Sequence, residues 1–374
     1  MKLAGITWWR NNYGSVLQAY ALQEALNSYE NVEYEIINQF GKRIVSVDNV
    51  LDKLKSIGIK KTFQRAFWKV GMPGLSRRSR KIQLFVDNYL QISAGQYTEE
   101  TVVETNKIYD AFVCGSDQIW NPTLIELDSM YWLGFSTAGR KRIAYAPSIG
   151  VNSVADETVQ QIKKNLARFD AISCREETGS KLLNSIMGVE CCTTVLDPTL
   201  LVNREIWNNF SEKRLFENEY VFAYMLRGDK EQRRLIEDFA RKNELKIVTI
   251  PFLETEYTEW YDLKFGDIKF WDAAPDEFVA VIRHAKFVFT DSFHSMVFSI
   301  LYHIPFFTFP KVGKAQMNRI IGLQEMLEME SRMVNSKEDI ERVQKKSIDW
   351  QKVDTILETK RQVSKEYLEN ALFG

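Results

Sequence analysis

Short apolar runs alternate with amphipathic stretches along most of the chain, and this alternation predicts an open α/β architecture. Residues 3–9 read as a first strand and 11–15 as a polar turn. Over residues 16–26 apolar positions recur with helical spacing, and 33–38 read as a second strand. Strand, glycine turn, helix, strand is the βαβ opening of a parallel sheet. Asn12 or Ser15 is suited to cap that helix. One glycine at the turn is too few for a dinucleotide fingerprint, although free amides at the helix start can hold a phosphate.

The most informative stretch is 111–121, AFVCGSDQIWN. A short apolar strand ends at Cys114 and Gly115, and Ser116, Asp117, Gln118, Trp120 and Asn121 follow at once. Open α/β sheets build ligand sites outside the carboxyl ends of their strands. Residues 287–290 repeat the arrangement, running into Asp291, Ser292, Phe293, His294 and Ser295. The pattern predicts two α/β halves whose polar strand ends face one cleft.

Between these stretches lie predicted strands at 142–147, 171–173 and 194–196 and helices at 155–168 and 178–186. Asp197, before Pro198, either caps the next turn or orients a polar partner. A fresh alternation starts at strand 220–226, which ends at Arg227. It continues through helix 230–243, strand 246–250, helix 276–285, strand 287–290, helix 296–301, strand 304–309 and helix 318–327. Residues 42–90 read as helices joined by a loop at 71–74, and 340–372 as one charged amphipathic helix or two. The expected division is an N-terminal α/β domain over 1–205, a C-terminal α/β domain over 219–335, and a helical tail over 336–374 packing back toward the first.

Composition narrows the function classes. Forty-nine basic residues nearly balance fifty acidic ones, so whole-chain charge points to no nucleic-acid partner. Aromatics at 13% exceed what simple cores need, and some are expected to line a groove. Cys114, Cys174, Cys191 and Cys192 form neither a disulfide framework nor a zinc pattern, which points to a reducing, cytoplasmic setting. No apolar run is long enough for a signal peptide or a membrane span. Lys60, Lys61, Arg65, Lys69, Arg77, Arg78, Arg80 and Lys81 follow one another with no acid between, interleaved with Phe63, Phe67 and Trp68. Such a stretch is the solvated face of a helical hairpin, or a peripheral contact for anionic lipid or a phosphate-bearing acceptor.

Several motifs, in order, resemble the polysaccharide pyruvyl transferase family. They are Asn12-Tyr13-Gly14 with 17–22, the Gly115–Asn121 run GSDQIWN, the Arg142–Ala146 run RIAYA, and Ser173-Cys174-Arg175-Glu176. Leu196-Asp197-Pro198-Thr199, the run from Thr290 to His294, Pro305-Phe306 and Asn318-Arg319 complete the series. The resemblance implies two Rossmann-like α/β domains facing a central cleft, as in GT-B glycosyltransferases. It also implies transfer of a pyruvyl group from phosphoenolpyruvate to a saccharide diol, free or lipid-linked, forming a cyclic ketal in bacterial polysaccharide or cell-wall assembly. Phosphoenolpyruvate is then a donor substrate, and neither a cofactor nor a metal is required. Relatives often carry glycine after the histidine of the second cluster, where this chain has Ser295.

That chemistry calls for anion binders, an acid and a base. Of the three histidines, His294 alone follows a polar strand end, which suits it to donor phosphate or acid catalysis, or to a buried hydrogen bond. Asp117 is suited to act as base or to bind an acceptor hydroxyl, or else to cap the following segment. Asp291 orients His294 or forms an Asx turn. Arg175, Arg227 and Arg319 are candidate anion binders, although an internal arginine such as Arg175 more often pairs with a carboxylate. Asn12, Tyr13, Gly14, Ser116, Gln118, Asn121 and Ser292 complete the candidate substrate contacts. Two other functions share these features: a nucleotide-sugar-dependent glycosyltransferase and a non-catalytic saccharide-binding protein. No sequence feature sets an oligomeric state.

Overall fold

Buried strand ladders and long apolar helices divide the chain into two units. The computed structural model describes residues 1–40, 73–252, 260–313 and 317–374. The first unit comprises Val86–Val202, Asp354–Gly374 and the described part of Met1–Ser46. The second comprises Asn203–Val353 and the described part of Val47–Phe85.

The first unit holds β1 (Lys2–Ile6), β2 (Glu33–Gln39), β3 (Ile92–Tyr97), β4 (Ala111–Cys114), β5 (Lys141–Ala144), β6 (Ala171–Cys174) and β7 (Cys192–Thr194). They pair in the order β3-β2-β1-β4-β5-β6-β7, all parallel. Every residue of β4 is buried, which is why its sequence is a continuous apolar run and not an alternation. The helix Tyr13–Asn27 starts at Asn12, whose side chain accepts the Gly14 amide at 2.8 Å. Most of that helix is buried.

The second unit repeats the plan with β8 (Tyr220–Tyr224), β9 (Lys246–Thr249), β10 (Ile268–Lys269), β11 (Phe287–Thr290) and β12 (Phe306–Thr308). Their order is β10-β9-β8-β11-β12, again parallel. Its core is built of phenylalanines, with Phe289 stacked on Phe307 at 4.4 Å and Phe239 edge-on to both.

Several expectations shift. The strand expected over 142–147 stops at Ala144, because Ala146 takes a positive φ of 53° and turns the chain. The strand expected over 304–309 shrinks to Phe306–Thr308, since Pro305 has no amide to donate to the ladder. The strand Ile92–Tyr97 was not expected at all. A helix, Pro73–Tyr89, begins within the expected loop at 71–74, proline needing no donor in a first turn. Residues 42–72 of that region lie outside the described residues.

The tail forms two helices, Lys337–Lys345 and Trp350–Phe373. From Asp354 onward the second belongs to the first unit. There Ser364 accepts the Leu196 amide at 2.9 Å, Tyr367 donates to the Ala144 carbonyl at 2.8 Å, and Arg361 donates to the Leu200 carbonyl at 3.0 Å.

Candidate functional site

Strand order reverses between β1 and β4 in the first sheet and between β8 and β11 in the second. Parallel sheets bind ligands outside the carboxyl ends of their strands at such reversals. The two sequence clusters fall at these two places.

In the first unit the chain leaves β4 through Gly115, at φ 120°, and reaches Asp117, at φ 71°. A Cβ on Gly115 would lie 1.9 Å from the Tyr145 carbonyl oxygen, so only glycine fits. Gln18 stitches this turn to β1. Its amide nitrogen donates to Thr7 Oγ1, Trp8 O and Ser15 O, and its oxygen accepts the Ser116 amide at 3.0 Å. Ser116 is fully buried, and its hydroxyl donates to the Ala146 carbonyl at 2.7 Å, so it serves the turn.

Asp117 accepts Ser15 Oγ at 2.6 Å with one oxygen and the Gln118 amide at 2.8 Å with the other. Asn121 donates to Gln118 Oε1 at 3.2 Å, and its own oxygen accepts the amide and hydroxyl of Thr123. Both side chains lie against Gly150, where a Cβ would come within 2.6 Å of Asn121 Nδ2. At the start of the first helix, the cap Asn12 is exposed while Tyr13 and Gly14 are buried.

Arg175 is buried and pairs with Asp197 at 2.6 Å, with Glu176 Oε2 3.9 Å away. Burial alone would lower its pKa, but Asp197, Glu176 and Asp117 outweigh that and hold it up. Asp197 also caps the short helix Pro198–Leu201 through the Thr199 amide at 3.0 Å. Glu176, absent from the sequence candidates, accepts Ser148 Oγ at 2.6 Å and the Gly150 amide at 3.0 Å. Arg175 is therefore the cation of a buried carboxylate network.

In the second unit β11 opens onto the helix Phe293–Leu301, capped by Ser292. His294 sits in its first turn, buried, edge-on to Phe293 at 5.2 Å. Ser295 Oγ is buried and has no hydrogen-bond partner among the described residues. Asp291 is fully buried, and its two oxygens accept the amides of Leu226 at 2.6 Å and Arg227 at 2.7 Å. The carboxylate that the sequence offered for orienting His294 or for an Asx turn is thus in contact with the chain after β8. Burial pushes the Asp291 pKa up, opposed by Lys311, the two amides and Arg233.

Lys311, just beyond β12, is the residue that sequence reasoning missed. Burial, then Arg319 and Arg227, push its pKa down to about 8, while Asp291 pulls the other way. Arg319, Asp291 and Arg227 thus all act on Lys311, and Asp291 lies just ahead of the helix start that carries His294. Three cations near a helix N-terminus are chemically suited to an anion.

Of the basic stretch at 60–81, Lys60, Lys61, Arg65 and Lys69 lie outside the described residues. Arg77 pairs with Asp272 at 3.2 Å and Lys81 with Glu277 at 2.9 Å, so part of that charge is neutralised locally. Among the described residues no helix is long and apolar enough to cross a membrane, and no group of histidine, cysteine and acidic side chains gathers as a metal site.

A family model described as polysaccharide pyruvyl transferase matches residues 12–310. No curated protein sequence matches the chain. Among solved structures, a UDP-GlcNAc 2-epimerase from Methanocaldococcus jannaschii is 14% identical, with a TM-score of 0.54 over 93% of each chain. The UDP-GlcNAc 2-epimerase from Neisseria meningitidis is 9% identical, with a TM-score of 0.50 over 99% of this chain and 100% of that one. At these identities the likeness is one of fold: two parallel-sheet α/β domains of the GT-B-like kind.

Proposed function

The chain belongs to the polysaccharide pyruvyl transferase family, and from that premise we propose that it transfers a pyruvyl group from phosphoenolpyruvate to a saccharide diol. The observation that supports the donor's identity is the set of cations in the second unit, with Arg319 and Arg227 acting on Lys311 near Asp291, together with the helix start that bears His294. Phosphoenolpyruvate brings a phosphate and a carboxylate, and such a cluster offers matching charge. His294 and the first amides of its helix hold the donor phosphate.

The acceptor diol is taken by the polar ends of the first unit, where Asn12 and Gln118 are the less buried of the candidate contacts. Protonation of the donor's methylene carbon gives its central carbon oxocarbenium character. One hydroxyl then bonds to that carbon, and the second displaces phosphate to close the cyclic ketal. One hydroxyl proton ends on the new methyl group and the other on phosphate, so the transfer is proton-neutral. A polysaccharide or lipid-linked precursor supplies the diol.

Calorimetric titration with phosphoenolpyruvate tests this. Saturable binding is expected, weakened about 10- to 100-fold in His294→Ala through loss of a charge-assisted hydrogen bond. Binding of nucleotide sugars in its place, or indifference to the substitution, overturns the assignment.

A further inference from the structure

The carboxyl end of β2 carries an aromatic ring that the folded chain holds at its surface. Phe40, the residue after β2, is 55% exposed, while Trp9 beside it is buried. The Phe40 amide donates to the Tyr97 carbonyl at 3.0 Å, at the end of the β2–β3 pairing. The guanidinium of Arg10 packs over the Phe40 ring, its carbon 4.5 Å from the ring centroid and 3.7 Å from that of Trp9. Arg10 is fixed in turn, since Nη1 donates to the Gln39 carbonyl at 2.7 Å and Nη2 to Asn38 Oδ1. Trp9 Nε1 donates to Gln39 Oε1 at 2.9 Å. An exposed ring on so many supports is a built feature of the surface.

Its place decides what it suits. β2 and β4 are the two neighbours of β1, and all three strands are parallel. The ends of β2 and β4 therefore lie on one side of the sheet, two strand spacings or about 10 Å apart. That distance is the reach of two linked sugar rings. Between those ends runs the chain after β1, where Asn11 and Asn12 are exposed. Beyond β4, the side-chain oxygen of Gln118 accepts from Asn121 at 3.2 Å, which leaves its amino group for a ligand. A pyranose has an apolar C–H face and a rim of hydroxyls. An aromatic face bordered by amides matches both parts.

We propose that Phe40 is the stacking platform for a second sugar ring of the acceptor, so that the protein acts on a glycan of two or more sugars. The proposal rests on the reading of the first unit as the acceptor side. The sugar that offers the diol lies at Asn12 and Gln118, and its linked neighbour lays its C–H face on Phe40. Arg10 and Trp9 are positioning residues, which hold the ring and its strand end in place.

The test is a ligand-observed NMR titration of the full chain with sugars alone. The probes are the methyl glycosides of glucose, galactose and N-acetylglucosamine, set against cellobiose, lactose and N,N′-diacetylchitobiose. At least one disaccharide is expected to bind about 10-fold more tightly than the monosaccharide it contains. Phe40→Ala is expected to remove that gain, and Phe40→Trp to keep it, because indole offers at least as large a face. Phe40 is exposed, so both variants are expected to melt within about 2 °C of the wild type. A gain that persists in Phe40→Ala overturns the platform, as does a panel in which no disaccharide binds more tightly than its monosaccharide. Decyl glucoside binding more tightly than every disaccharide, with the excess lost in Phe40→Ala, assigns the ring to a lipid chain and also overturns it. Calorimetry with phosphoenolpyruvate on the same samples reports on the donor separately. A Phe40-dependent gain without donor binding supports the platform and overturns the donor assignment alone.

Discussion

The carboxylate of Asp291 accepts the backbone amide of Arg227 at 2.7 Å, tying the end of β11 to the chain leaving β8. The same group accepts the Leu226 amide at 2.6 Å, so the polypeptide on both sides of the strand-order reversal is set by one acid. Asp291→Asn puts an amino group against one of two donors. It is expected to cost about 2–3 kcal/mol in stability and to weaken phosphoenolpyruvate binding by displacing Arg227. Urea unfolding and calorimetry check both, and a variant that matches the wild type in both disproves the tie.

Lys311 carries a stability cost whose pH dependence has a definite sign. Its pKa falls from lysine's ordinary 10.5 to about 8 in the folded chain, so charging it opposes folding in full below about 8, and the opposition fades between about 8 and 10.5. Lys311→Met is therefore expected to be more stable than the wild type by ~1–3 kcal/mol at pH 7, with the gain shrinking by pH 10. Denaturant midpoints at the two pH values check it, and a pH-independent difference contradicts it.

Arg175→Met leaves Asp197 and Glu176 in a buried network without their cation. A loss of about 3–5 kcal/mol is expected. Changing Asp197 to Asn in the same chain is expected to restore part of it, because one buried charge goes as well. Thermal unfolding of the two single variants and the double variant closes the cycle, and strict additivity rules out the coupling.

Gly115→Ala drives a methyl group to within 1.9 Å of the Tyr145 carbonyl oxygen, at a φ of 120° that side-chain-bearing residues avoid. Loss of more than ~3 kcal/mol, read as a fall in thermal midpoint or as insoluble protein, is expected. Near-normal stability of Gly115→Ala contradicts the tight approach.

How much the sequence reveals depends on how local the cause is. The strand Phe287–Thr290 matches the residues expected for it, because an apolar run buried in a parallel ladder needs no distant information. His294 stood out for the same reason, following the polar end of that run. The strand Ile92–Tyr97 was illegible. It is an edge strand with one neighbour, and its sequence, ISAGQY, lacks both an unbroken apolar run and a clean alternation. Ser15 read as a turn residue suited to cap the helix and Gln18 as a position within that helix, yet their side chains reach Asp117 and Ser116, far along the chain. Lys311 was invisible because Arg227, Asp291 and Arg319, which alter its chemistry, arrive from separate elements.

The return of Asp354–Gly374 to the first unit constrains how this enzyme can be recombined. A chimera that exchanges the first unit between relatives by one crossover near residue 203 would leave the last helix of the wrong parent against β5. The recipient's own Ser364 and Tyr367 would then face a foreign Leu196 and Ala144. Grafting that half needs two junctions, with the C-terminal segment travelling alongside the N-terminal one as an inseparable pair.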